Sequence, residues 1–301
     1  MLRVLVVYYS QSGQLREIVQ NISEVVAVDN QFAVDYLEIK MQHDFPFPWS
    51  KKSFIGVFPD TFLEKPYTIQ KPSEQILSTK YDLIIFGYQP WYLSPSIPAN
   101  SFLESQYAAA LFEGTDVITV IGSRNMWGLA QEKIKKKLCK LKANLVGNIT
   151  FSDRNPNLVS AYTVVRWMFS GNKKSRGIFP AAGVSQSEID NSIVFGQIIK
   201  SYLLGDFPKE ALQTKIQHQG GVEIKHFLIQ IDKTANKIFR KWANLIDKKS
   251  GNDRELWLNI FYYYLIFVIW FVSPIVYVFY ILLYPLRYKA IKRELDYYKR
   301  V

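Results

Sequence analysis

The sequence predicts an α/β fold, a doubly wound five-stranded parallel sheet, followed by a membrane-associated helical tail. Three observations lead there. Val4-Leu5-Val6-Val7-Tyr8-Tyr9 and Leu83-Ile84-Ile85-Phe86 are unbroken apolar runs, the mark of strands buried on both faces of a sheet. Helix-periodic segments separate such runs, the first at Leu15, Ile18, Val19 and Ile22. Residues 256–286 contain no charged side chain.

The first strand ends in Ser10-Gln11-Ser12-Gly13-Gln14, and the first helix follows at once. A buried strand feeding a helix through a tight polar loop makes a phosphate cradle. Loop N–H groups and the helix N-terminus supply partial positive charge, hydroxyls donate, and glycine lets the backbone approach. No lysine lies in the loop, so it is not a nucleoside-triphosphate P-loop, and one glycine falls short of a dinucleotide fingerprint. Phe32 to Ile39 alternates apolar and polar residues, a second strand. Residues 41–80 then break the pattern with Phe45-Pro46-Phe47-Pro48-Trp49, Pro59, Pro66 and Pro72, which exclude a long helix or a central strand. This aromatic insertion is too long for an idle loop. Tyr81 to Gly87 and Asp116 to Gly122 are the third and fourth strands, and Leu145 to Phe151 is a weaker fifth. Helices are expected at Pro98–Phe112, Ala130–Lys142 and Ser187–Leu204.

Open parallel sheets bind ligands at the carboxyl ends of their strands. Three loops meet there: the one after the first strand, Gln89-Pro90-Trp91-Tyr92 after the third, and Ser123-Arg124-Asn125-Met126-Trp127 after the fourth. Tyr9-Ser10-Gln11-Ser12-Gly13-Gln14 resembles the flavodoxin phosphate loop, in which hydroxyl residues and a glycine bind the phosphate of FMN. That family usually carries a threonine two residues past the glycine, where this chain has Leu15. The resemblance implies a flavodoxin-like fold with Ser10, Gln11, Ser12, Gly13, Gln14 and Leu15 at the FMN phosphate. It further implies Trp91 or Tyr92, beside Gln89 and Pro90, stacked on the isoalloxazine ring. Backbone N–H groups around Gly122–Asn125 would meet the pyrimidine edge, with Ser123, Arg124, Asn125 and Trp127 as the loop's cofactor-binding candidates.

A closer resemblance rests on Val7-Tyr8-Tyr9-Ser10-Gln11-Ser12-Gly13-Gln14, on Phe45–Trp49 and on Ser123–Trp127. These stretches are similar to the bacterial dialkylresorcinol biosynthesis proteins, which act as the aromatase partner of a ketosynthase. The resemblance implies oxidation of a 2,5-dialkylcyclohexane-1,3-dione to a dialkylresorcinol, with a ketosynthase as partner. It names no catalytic residue.

The formal charge of +11 points to an anionic partner, either nucleic acid or the inner leaflet of a membrane. A single cysteine, Cys139, excludes an internal disulfide and suits a reducing compartment, and no secretory leader is apparent. From Val222, apolar residues recur at helical spacing with lysines and arginines between them; such a helix lies on a membrane or covers a core. In 256–286, twelve of thirty-one positions are aromatic, and Lys248, Lys249, Arg254, Arg287, Lys289, Lys292 and Arg293 flank both sides. About twenty apolar residues span a bilayer, so this is a membrane segment, either a kinked span or a hairpin turning near Ser273-Pro274. The expected division is 1–205 as the FMN domain with its insertion at 41–80, 206–252 as a basic amphipathic region, and 253–301 as the membrane segment. Truncation before Asp253 is expected to leave a folded domain, and the placement is the cytoplasmic face of the inner membrane.

His43, His218 and His226 lack the spacing of a metal site, and Ser12 sits in no nucleophile elbow. Arg124 is the candidate for stabilising charge on a reduced flavin, and His43 and Tyr88 are candidate bases. Three classes compete: an FMN oxidoreductase on a lipophilic substrate, a membrane-tethered flavodoxin-like electron carrier or quinone-type reductase, and a scaffold that has lost its flavin. A basic, aromatic-rich chain argues against a typical electron carrier, and nucleic acid is not expected as a partner.

Overall fold

The computed structural model describes all residues, Met1–Val301. Its centre is a parallel sheet built from β1 (Leu2–Tyr8), β2 (Phe32–Glu38), β3 (Leu83–Tyr88), β6 (Asp116–Ser123) and β7 (Asn144–Ser152). The order across the sheet is β2-β1-β3-β6-β7, the flavodoxin-like arrangement of a doubly wound sheet, with its topological switch between β1 and β3. The short strands β4 (Pro90–Trp91) and β5 (Ser94–Pro95) form a separate antiparallel pair in the loop after β3. Val4, Leu5, Val6 and Val7 have no exposed surface, because helices cover both faces of β1.

On one face lie α1 (Gln14–Ala27), the short α9 (Gln186–Asp190), α10 (Ile193–Leu203) and α11 (Leu212–His218). On the other, α5 (Ile97–Leu103), α6 (Gln106–Phe112) and α7 (Gly128–Lys140) enclose Phe86, Phe102 and Phe112. The expected helix over Pro98–Phe112 is therefore two helices, because Ser105 starts the second by accepting a hydrogen bond from Ala108 N at 3.3 Å. The sheet's cover also continues past residue 205. Leu212, Ile216 and Val222 belong to the main core, and Thr150 N donates to the Gly221 carbonyl at 2.7 Å.

The insertion contains three short helices, α2 (Lys51–Gly56), α3 (Phe58–Phe62) and α4 (Glu74–Ser78). The basic amphipathic segment is α12 (His226–Asp247), and it covers protein: Phe239, Ala243 and Ile246 pack with Ile55, Phe58 and Phe62. α13 (Gly251–Phe267) completes this second core with Leu258 and Phe261, whose ring stacks on Phe58 at 3.8 Å between centroids and 12° between planes. The chain stays helical through a π-helical stretch, Val268–Val272, into α14 (Ser273–Lys299), so no turn forms at Ser273-Pro274. The insertion and the tail thus share one core, and a cut before Asp253 does not separate independent parts.

Candidate functional site

The switch point places the loops after β1, β3 and β6 side by side. Residues 9–13 leave β1 and turn into α1, whose first helical residue follows Gly13 at φ +91°. A left-handed conformation strains any other side chain, so glycine belongs here. Ser10 Oγ accepts from Arg16 N at 3.2 Å, and the Gly13 carbonyl accepts from Glu17 N at 3.1 Å. The N–H groups of Ser12, Gly13, Gln14 and Leu15 have no protein acceptor. Four such donors at the start of a fourteen-residue helix form a cradle that could hold one phosphate-sized anion, and Ser10 and Ser12 add hydroxyls.

The side chains of the loop are used differently. Gln14 is buried and pairs with Val184, donating to its carbonyl at 2.8 Å and accepting from its N–H at 3.3 Å. The neighbouring Gly183, at φ +80°, permits this contact: a Cβ there would stand 2.4 Å from Gln14 Oε1. Leu15 is a core residue lying over Gly87 and Gly122, which explains an apolar side chain where the resemblance has threonine; only its N–H faces the cradle. Gln11 ties the loops together. Its N–H donates to Gln89 Oε1 at 3.3 Å, its Nε2 to the Pro46 carbonyl at 2.8 Å, and its Oε1 accepts from Tyr9 OH at 2.5 Å.

Trp91 is half-buried and meets Tyr9, Phe45 and Trp49 edge-on, with centroids 6.1, 5.2 and 5.4 Å away. The next residue points elsewhere. Tyr92, at φ +46°, buries its phenol in the insertion and donates to the Phe54 carbonyl at 2.7 Å. Of the two candidate stacking residues, only Trp91 therefore adjoins the cradle loop.

In the loop after β6, Arg124 Nη1 donates to Asn157 through its carbonyl at 3.1 Å and its Oδ1 at 3.0 Å. Burial lowers this guanidinium to about 10, while the charge of Asp153 opposes the shift, so it is cationic at neutral pH. Asn125 Nδ2 also donates to Asn157 Oδ1, at 2.9 Å, and its own Oδ1 is buried without a partner. Ser123 pairs with Ser152 through their hydroxyls at 3.0 Å. Asn157 begins α8 (Asn157–Ser170), a helix the sequence reading passes over; Pro156 at its N-cap and the apolar Leu158, Val159 and Trp167 were its available signal.

Three candidates lie away from this cluster. Trp127 is 3% exposed within the main core, so its ring is held by packing. Tyr88 is fully buried, donates to Gln131 Oε1 at 2.9 Å, and has its phenol pushed far up by burial, which takes it out of reach as a base. His43 is exposed and makes no hydrogen bond. No group of three metal-ligating side chains exists, and what the cluster offers is backbone donors and aromatic rings.

No family model and no curated protein matches the chain. Among solved structures, similar folds include one described as a putative flavoprotein of Bacteroides uniformis, at 20% identity over 56% of this chain and 97% of that one, with a TM-score of 0.40. A Lactobacillus acidophilus flavoprotein solved with FMN has 18% identity over 50% and 93% of the two chains, with a TM-score of 0.37. Flavodoxin 1 from Bacillus cereus has 14% identity over 65% and 95%, with a TM-score of 0.35.

One expectation follows directly from the cradle. Gly13→Val is expected to abolish retention of a phosphorylated ligand, since a β-branched side chain at φ +91° costs roughly 1–2 kcal/mol or more and enters space now open. The check is retention of added FMN, as the probe, on gel filtration in detergent; equal retention by the variant and the parent would place the phosphate elsewhere.

Proposed function

We propose that this chain is an FMN-dependent oxidoreductase acting on a lipophilic substrate. The observation that carries this is the set of four unpartnered N–H groups from Ser12 to Leu15, set beside the indole of Trp91 at the switch point of the sheet. The residues present fit FMN in kind: backbone donors for one terminal phosphate, an aromatic wall for a flat ring, and an unsatisfied acceptor, Asn125 Oδ1, for a ring N–H. When bound, the flavin would supply acceptance of two electrons. The chain's part is to bind and to set charge. Ser12 to Leu15 would hold the phosphate; Phe45 and Trp49 shield Trp91 from water; Arg124, fixed by Asn157, would keep a positive charge in the loop after β6.

The finer reading is aromatisation of a 2,5-dialkylcyclohexane-1,3-dione, a removal of two hydrogens that leaves the dialkylresorcinol. It is supported by the motif resemblance, by the aromatic insertion packed against Trp91, and by the apolar tail joined to that insertion. Such a substrate dissolves in lipid: each methylene favours the bilayer by about 0.8 kcal/mol. The tail would hold the site at an anionic membrane surface, on its cytoplasmic face, and a ketosynthase would supply the substrate.

The test is to purify the chain in detergent, record its flavin absorbance, and add an alkylated cyclohexanedione under nitrogen. Bleaching of the flavin with formation of the resorcinol is expected. A yellow protein that fails to bleach would favour an electron carrier, and a colourless one that FMN cannot restore would favour a scaffold.

A further inference from the structure

The helical tail meets the folded body at both ends. At its start, Leu258 and Phe261 are buried in the second core, and Arg254 Nη2 lies 3.5 Å from the Gly56 carbonyl. At its end, Ile291 and Tyr298 are buried again. The Lys299 carbonyl accepts from Gln213 Nε2 at 2.9 Å and Gln217 Nε2 at 2.7 Å, and the Arg300 carbonyl accepts from Lys135 Nζ at 3.2 Å. Val301 and the exposed Cys139 of α7 line one cleft.

A single imidazole defines the path between these ends. His226 Nδ1 is 3.1 Å from Tyr280 OH, and its Nε2 is 2.7 Å from Glu294 Oε2. Tyr280 and Glu294 would stand about 21 Å apart along a straight helix, so the helix curves to bring both to one ring. Pro285 lies between them and cannot donate to the helical ladder, the usual cause of a bend. Between the docked ends, Phe267, Trp270, Phe271, Ile275, Leu282 and Leu286 are each at least 43% exposed.

We propose that this arch is seated in one leaflet of an anionic bilayer without crossing it, so that Val301 lies on the same side as the sheet. A crossing segment must deliver its ends to faces about 30 Å apart, and both ends here are bound to one domain. An apolar surface of this extent calls for a covering phase. Charge selects lipid for that role: Lys248, Lys249 and Arg254 stand at one foot and Arg287, Lys289, Lys292 and Arg293 at the other, where anionic headgroups would lie. The inference rests on the membrane attachment proposed above and adds its topology.

The experiment labels the full chain in sealed membrane vesicles of both orientations with a membrane-impermeant maleimide. Native Cys139 marks the body. In a Cys139→Ser background, Val301→Cys marks the end of the tail and Phe271→Cys its middle; each variant is first matched to the parent by thermal unfolding. Cys139 and the introduced terminal cysteine should react from the same face, and the middle one only after detergent. Reaction of the terminal cysteine solely from the opposite face would overturn the single-leaflet placement while leaving attachment intact. Release of the full chain by alkaline carbonate, with the middle cysteine freely reactive, would overturn the attachment and the arch with it.

Discussion

Phe261→Ala is expected to lower the unfolding free energy by about 3–5 kcal/mol, the range for truncating a buried phenylalanine. Its ring is fully buried, stacked on Phe58, and edged by Phe239 at 5.4 Å and Trp242 at 5.6 Å. Removing it leaves a cavity where insertion, α12 and tail meet. Chemical unfolding in detergent measures the loss. Tyr263→Ala, at a residue 63% exposed on the same helix, serves as control and should cost no more than about 0.5 kcal/mol. A loss at Phe261 no larger than the control's would mean that the tail is an appendage after all. By the same argument, truncation before Asp253 should give an aggregating product, since it uncovers Phe58 and Phe239 and deletes Ile291 and Tyr298.

The second large effect concerns pH. Asp232 on α12 is 1% exposed; its Oδ2 accepts from Leu129 N at 3.0 Å, and its Oδ1 has no partner. Burial pushes its carboxyl up to about 7 from 3.8, against the pull of the Leu129 N–H and the Lys133 charge. The sign follows from proton counts. Between about pH 4 and pH 7 the unfolded chain has released this proton and the folded chain still holds it, so rising pH favours unfolding. Stability should fall by an amount on the order of 4 kcal/mol across that interval and level off above it. Asp232→Asn keeps an acceptor for Leu129 N and removes the charge, so it should flatten the profile and stabilise the protein at pH 8. An unaltered pH profile in that variant would show that Asp232 is hydrated and ionised in the folded chain.

The sheet was legible because its signal is local. Apolar runs such as Val4–Val7 are buried on both faces wherever the chain goes, and a polar loop with Gly13 after such a run has few structural outcomes. The side-chain roles around the cradle were less legible. Leu15, Trp127 and Tyr88 sit next to site residues in sequence, yet the strand and helix periods turn them inward, and only the packed geometry separates Trp91 from Tyr92. The partnership between residues 51–62 and 239–261 lay outside reach for a different reason. Each half is amphipathic by itself, and an amphipathic pattern says that a face must be covered without saying by what. The aromatic density of the insertion and the charge-free tail were both visible; that they are two halves of one core was not.

That shared core has a consequence for how the chain is made. Phe58 leaves the ribosome roughly 200 residues before Phe261, a delay of about 10–40 s at ordinary rates of synthesis. Through that interval the sheet can close, but the aromatic faces of α2 and α3 stay bare until the tail helix arrives to cover them. The two most aggregation-prone surfaces are therefore the ones that wait longest for each other. With the tail seated in lipid as proposed above, its delivery to the bilayer and completion of the domain would become a single event, and a cell that delayed the first would lose the second.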